Sequence, residues 1–177
     1  LNNVWGRDLH FKPQNVAFFG ENSLAITKKF SLNTGIRFEK GDSKMNGIIT
    51  YYPSDKIPFE LKREFVLLGT SFSYKVNENL EYYGGIAQTY RPMIFKDLIP
   101  IEAFEKVDPN LKDANGYNVE FGSRGNYKFL KWDLTAFELQ YNHRFGTILQ
   151  SETGGTVYTY RTNIGDSRTR GIELFLQ

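Results

Sequence analysis

The side chains best suited to metal binding or proton transfer are scarce in this sequence. The two histidines, His10 and His143, form no H-x-H or H-E-x-x-H pair, so zinc has no ligand set. There is no cysteine, which removes thiolate nucleophiles, thiolate metal sites and disulfides. No G-x-S-x-G elbow and no G-x-x-x-x-G-K-[ST] loop occurs. In "DPNLKDANG", Asp108, Asn110 and Asp113 resemble a calcium loop, but the alternate-ligand spacing and the terminal Glu are missing, so it reads as a turn-rich loop. Carboxylates come singly, about one per extended segment, and not as the facing pair that glycoside hydrolysis needs. No catalytic, metal or cofactor site is expected. Chemistry falls instead to dispersed charge.

The charge sits in segments with a period of two. In "GYNVEFGSRG", Tyr117, Val119 and Phe121 alternate with Asn118, Glu120, Gly122 and Arg124, the mark of a β-strand with one apolar face. The same alternation sets Val16, Phe18, Leu24 and Ile26 against Ala17, Glu21, Ser23 and Ala25. It sets Leu32, Ile36 and Phe38 against Asn33, Arg37 and Glu39. It continues with Val66, Leu68, Phe72, Tyr74 and Val76 against Gly69, Ser71, Ser73 and Lys75, then Leu80, Tyr82, Ile86 and Tyr90 against Glu81, Gly85, Thr89 and Arg91. In "LTAFELQYNHRF" the expected apolar phase is Phe137, Leu139, Tyr141 and Phe145, opposite Glu138, Gln140, Asn142 and Arg144. The last segment, "TYRTNIGDSRTRGIELFLQ", has Ile172, Leu174 and Leu176 opposite Gly171, Glu173 and Gln177, with "NIGDS" as a possible turn inside it. The expectation is an all-β, antiparallel up-and-down meander of about seven strands.

The connections alternate in length. Thr27–Lys29, Asn77–Asn79 and residues 126–131 are short, Gly41–Lys62 and Pro92–Asn115 are long, and Gly146–Gly155 is intermediate. In a meander this sends every long loop to one end of the sheet, as outer-membrane barrels do. The polar phase carries Glu21, Glu39, Glu81, Glu120, Glu138 and Glu173 with Arg37, Arg91, Arg124 and Arg144. Burying so many charges in a dry core costs several kcal/mol each even when they are paired, so that face is wet. Two orientations satisfy this. Either the apolar face meets hydrocarbon and the polar face lines a lumen, or a soluble up-and-down barrel or meander binds a small apolar ligand with its charges outside. An enzyme is the third reading, and the sparse constellations disfavour it. The composition fits the first reading: 15 Phe, 11 Tyr and 2 Trp make 16% of 177 residues. The 22 basic and 20 acidic residues are scattered, with no basic run that tracks nucleic acid. A mean hydropathy of −0.46 does not speak against a membrane barrel, whose strands face lipid with alternate residues only. No stretch approaches ~18 consecutive apolar residues, so no transmembrane helix is expected.

Three segments carry a family resemblance. "YRPMIFKDLIPIEAFEKVDPNLKDANGYNVEFGSRG" resembles the aromatic-Arg-x-Pro strand end, "NPxLKPE" loop and "YExG" strand of TonB-dependent outer-membrane receptors. "NIGDSRTRGIEL" is similar to that family's "N-[VI]-G-x-[AS]-x-x-[RK]-G-[VI]-E" strand, and "FFGENSLAITKKFSLNTGIRFE" to its "FxExxxxxTxxLxLxxGxRYE" hairpin. They stand in family order and span most of the chain. "GRDLHFKPQNVAFFGEN" most resembles the ferric-citrate type. Leu111-Lys112 is followed by Asp113-Ala114 where the family has Pro-Glu, so the loop departs locally.

The resemblance implies that residues 1–177 form a segment of one larger transmembrane β-barrel in the bacterial outer membrane. It implies no plug domain in this stretch and a finish at Gln177 in mid-strand; the start at Leu1, without Met or a charged-then-apolar leader, independently suggests a mature or excised piece. Under the family pattern "NIGDS" belongs to one long strand. The intact receptor would import an iron chelate, ferric citrate or another siderophore, with TonB energy. Its other partners would be its own plug domain, a TonB-type protein and outer-membrane lipid, with no nucleic acid. Iron would travel as a chelate and not as a cofactor. An anionic chelate calls for guanidinium or imidazole donors. The candidates are Arg91 and Arg161, with Arg144 near the same rim, and Arg7 and His10 ahead of the first strand. Tyr82, Tyr90, Tyr117, Tyr141 and Phe145 suit aromatic girdles. Arg168 and Arg170, on the apolar phase, are expected at the outer rim near lipid phosphates.

Overall fold

Alternating apolar and polar residues favour extended chain, and extended chain dominates the computed structural model, which describes residues 6–177. The strands are β1 (Arg7–Ala25), β2 (Phe30–Ile49), β3 (Glu60–Asn77), β4 (Leu80–Arg91), β5 (Glu105–Val107), β6 (Ala114–Tyr127), β7 (Leu130–Asn142), β8 (Phe145–Ser151), β9 (Val157–Asn163) and β10 (Ser167–Leu176). A one-turn helix, α1 (Phe95–Leu98), and a 3-10 turn at Ser54–Lys56 complete the set. Among the described residues no helix is long and apolar enough to cross a membrane.

Seven strands form one sheet in the order β1-β2-β3-β4-β6-β7-β10, each pair antiparallel. The tight turns all fall at one end. Thr27 Oγ1 accepts from the N–H groups of Lys29 and Phe30, and Asn77 Oδ1 accepts from Asn79 N at 2.8 Å. These are the local side-chain acceptors that make Thr and Asn turn residues. The long connections emerge at the other end, as the alternation of lengths predicts.

Two strands outrun the sequence pattern. The Gly41–Lys62 stretch is mostly ladder, with β2 continuing to Ile49 and pairing as far as Lys44 opposite Glu60. The belt-type alternation disappears there because the outer face is wet while the inner face, Gly41, Ser43, Met45 and Ile49, is buried; exposed pairs such as Lys40–Glu64 at 3.3 Å line the outer side. β1 likewise begins at Arg7 and runs through Pro13.

Register assigns the faces, since directly opposed residues share one. Phe18 lies opposite Phe38 and Phe38 opposite Val66; Ile86 lies opposite Val119, and Leu134 opposite Leu174. These side chains form an apolar belt that stays exposed: Phe18 is 68% and Ile172 75% accessible. The soluble reading needs these groups buried against one another, and they are not. The opposite face carries Glu21, Arg37, Glu39, Arg63, Glu81, Glu120, Arg124, Asp133 and Glu173.

β7 reverses the expected phase. Glu138 lies opposite Val119 and Ala136 opposite Phe121, so Glu138 and Gln140 belong to the apolar face. Phe137, Leu139 and Tyr141 belong to the polar one. Trp132, Leu134 and Ala136 mark the true phase, and beyond Ala136 the strand has left the belt, so polar residues are free to occupy the outer face. The Phe137 ring beds on Gly171, where a Cβ would stand 2.5 Å from Phe137 Cζ. Tyr141 therefore leaves the girdle set. Tyr90 leaves it too, its ring tilted against Phe65 with centroids 4.1 Å apart and its hydroxyl donating to Asp113.

The final segment is not one strand. Ile164, Gly165 and Asp166 separate β9 from β10, with Gly165 at φ +118°, a conformation that favours glycine. β9 pairs instead with β8 and, in parallel, with β5, forming a second sheet of three strands above the long-loop end.

Candidate functional site

The buried centre of the chain lies under that second sheet. Met45 and Ile49, from the upper end of β2, meet Phe95 and Ile99 from the β4–β6 loop; all four are at most 6% exposed. Leu9, Tyr51, Tyr52, Ile57 and Leu61 pack around them. Leu9, Met45, Ile49 and Leu61 share the polar-face register, so the loop folds over that face and caps it.

Three of the five candidate residues meet at this cap, on one stretch of chain, residues 96–100. Arg161, from β9, donates to the carbonyls of Lys96 (2.5 Å), Asp97 (3.3 Å) and Ile99 (3.4 Å), and to Glu105 Oε1 at 2.5 Å. Those carbonyls close a one-turn helix and have no partner within it, so a cation with several donors satisfies them. Arg91, at the end of β4, pairs with Asp97 at 3.2 Å, and its guanidinium lies 4.3 Å over the Phe145 ring. Phe145 thus supports an arginine and is not a girdle residue. Arg7 donates to Tyr51 Oη at 2.6 Å and to the Pro100 carbonyl. The other two lie apart. Arg144 is exposed in the turn after β7, where its backbone bonds Gly165 and Ile164. His10 is on the apolar-face register above the belt, 3.4 Å from Asp8.

Further polar contacts stitch the loops. Asn163 bonds both backbone groups of Lys112 and the His143 carbonyl. Asp108 accepts from Thr162 Oγ1 at 2.6 Å and from Asn110 N at 2.8 Å. The Thr162 hydroxyl, followed by the Asn110 N–H, holds the Asp108 carboxyl below its usual range.

Below the cap the polar face is a ladder of paired charge. Arg37 bonds Glu39 at 2.6 Å, and Arg63 approaches the same carboxylate at 3.8 Å. Lower down, Glu81 accepts from Ser73 and pairs with Arg124 at 3.2 Å, and Tyr83 donates to Asp133 at 2.5 Å. Sequence reasoning missed Arg63 and Asp133 because each lies outside the stretch of its strand where alternation is legible. Among the described residues no group of His, Cys, Asp and Glu is arranged to hold a metal ion.

An apolar belt on one face, paired charge on the other, tight turns at one end and a folded cap at the other together define the wall of an outer-membrane β-barrel. The chain belongs to the TonB-dependent receptors: residues 6–177 match the family described as "TonB dependent receptor-like, beta-barrel". This is a family of transport receptors and not of enzymes.

Solved structures agree on the fold. The copper transporter OprC superposes with a TM-score of 0.71 at 16% identity, covering 93% of this chain and 26% of its own. The unliganded ferric citrate transporter FecA gives 0.70 at 17%, covering 99% and 24%. The ferric yersiniabactin uptake receptor FyuA from Yersinia pestis gives 0.62 at 18%, covering 95% and 24%. The chain thus spans about a quarter of the length of these receptors. No curated protein matches the sequence. In this fold the belt is the barrel exterior and the charged ladder its interior.

Proposed function

We propose that the receptor containing this wall segment sits in the bacterial outer membrane and imports an anionic iron chelate, ferric citrate or another siderophore, using TonB energy transmitted through its plug domain. The observation that carries this reading is the convergence of Arg7, Arg91 and Arg161 on the cap, directly above a charged, wet interior. Guanidinium donors suit carboxylate ligands through bidentate contacts. Arg91 is the residue best placed to exchange partners. It holds Asp97 through one hydrogen bond at 3.2 Å, and its side chain stays 47% exposed. Arg144 belongs to the same proposal as an exposed donor near the mouth and Arg161 as the brace that holds the loop, whereas His10, on the exterior register, is the least suited of the five.

The test is a titration of the full-length receptor with ferric citrate and with other ferric chelates. Arg91→Ala weakens binding of the true ligand several-fold, about 0.5–1.5 kcal/mol being the net worth of one hydrogen bond. Unchanged affinity removes Arg91 from the site. A wild-type receptor that binds no ferric chelate removes the iron reading altogether.

A further inference from the structure

The phase reversal in β7 puts charge where a barrel exterior has little use for it. Glu138, Arg168 and Arg170 share the apolar-face register, because Arg168 lies opposite Gln140 and Arg170 opposite Glu138. Tyr117 stands on the same face one strand away and donates to Glu138 Oε1 at 3.1 Å. Both arginines reach Glu138 through Nε, Arg168 at 3.1 Å and Arg170 at 2.6 Å. One carboxylate therefore serves two guanidiniums. Their side chains are 50% and 65% exposed.

Height locates this group. From Leu130, at the tight turn, to Glu138 is about 26 Å along the strand, a rise of about 20 Å at the usual barrel tilt of 35–45°. That is close to the height of a hydrocarbon band, ~25 Å. Trp132, Leu134 and Ala136 fill the interval on β7, and Leu176, Leu174 and Ile172 fill it on β10. The charged group thus stands on the first step above the last apolar rung of these two strands, near the upper edge of that band on the long-loop side.

We propose that Arg168 and Arg170, oriented by Glu138 and Gln140, form a docking site on the barrel exterior for the phosphate of an anionic lipid. Charge complementarity and continuity with the belt select this occupant. A lipid whose chains lie on Ile172, Leu174 and Leu176 brings its headgroup to the two guanidiniums. Arginine matches phosphate through its planar fork, and Gln140 holds the Arg168 Nε at 3.1 Å so that this fork keeps its aim.

The experiment uses the full-length receptor, delipidated in detergent and titrated with phosphatidylglycerol or phosphatidylcholine, with bound lipid counted by native mass spectrometry. Arg168→Gln with Arg170→Gln lowers phosphatidylglycerol affinity by about fivefold or more and leaves phosphatidylcholine unchanged. Glu138→Gln frees both arginines and raises phosphatidylglycerol affinity, a gain that no folding defect imitates. Equal lipid binding by wild type and the double variant overturns the site. So does a parallel loss for both lipids, a Glu138→Gln receptor without the gain, or displacement of phosphatidylglycerol by millimolar inorganic phosphate as effective as lipid itself. Chelate binding is read in the same samples, so failure of the transport proposal remains separable from failure of this one.

Discussion

The barrel wall and the cap are built from the same chain by opposite rules. In the wall, apolar side chains point away from the protein and stay exposed, and cohesion comes from the ladder of backbone hydrogen bonds. In the cap, Met45, Ile49, Phe95 and Ile99 turn toward one another and exclude solvent, and a buried ion pair, Arg161–Glu105, ties β9 to the loop. The wall is complete only in a second solvent, the bilayer, whereas the cap is a small water-soluble core mounted on it. Each region is therefore sensitive to a different kind of substitution.

The sharpest break comes in the cap. Arg161→Ala leaves Glu105 buried without its partner and strips three helix-end carbonyls of their donor. Removing one member of a buried pair costs about 3–5 kcal/mol. The expected outcome is selective: amide hydrogen exchange accelerates across residues 95–107 and 157–163, while the sheet amides of β2, β3 and β6 keep their protection. Equal loosening of wall and cap would show that the two are one cooperative unit.

The wall breaks where the cap is indifferent. Leu134→Arg puts a charge in the middle of the belt, at a cost of about 2–4 kcal/mol for folding into vesicles. Gln140→Arg, on the same face of the same strand but above Glu138, costs only about 0.2–1 kcal/mol, for the lost Arg168 contact and a like charge across the ladder. Reversible denaturant titrations in lipid vesicles read both. If the two variants are alike, the belt does not end at Ala136, and the lipid-docking site loses its footing.

The same division explains what the sequence could tell. Strand phase was legible wherever one face met hydrocarbon, as in "FVLLGTSFSY", because only there does chemistry force alternation. It faded in residues 40–49 and 60–64, where the outer face is wet and the inner face packs under the cap, so the ladder runs farther than its pattern. It misled in β7, because Phe137, Leu139 and Tyr141 mimic a belt on the wrong side above Ala136. The cap was illegible for another reason. Its core joins residues from β1, β2 and the β4–β6 loop that are far apart in sequence and share no period. Arg7, Arg91 and Arg161 were found as residue types suited to an anion, but nothing local revealed that all three address the stretch from Lys96 to Pro100. The one-strand reading of the last segment failed at Gly165, whose positive φ lets the chain leave the wall for a second sheet.

The smallest effect separates the two regions by pH. Asp108 lies in the cap, and its carboxyl is depressed by the Thr162 hydroxyl and the Asn110 N–H. A group whose folded pKa is lowered adds stability above its unfolded pKa, and that stability disappears as pH falls through the folded value. The Asp108 contacts therefore hold at neutral pH and through the ordinary carboxylate range, and give way only in more acid solution. Limited proteolysis of the full receptor should find the 108–112 loop unchanged between pH 7 and pH 5 and opened below about pH 4, the ordinary Asp value being near 3.9. Asp108→Asn, which keeps the shape but cannot ionise, should remove that acid step and make the loop slightly more open at neutral pH. The wall ladder, whose backbone bonds do not titrate, serves as the internal reference. A loop that opens equally in wild type and Asp108→Asn would assign the acid sensitivity to another carboxylate.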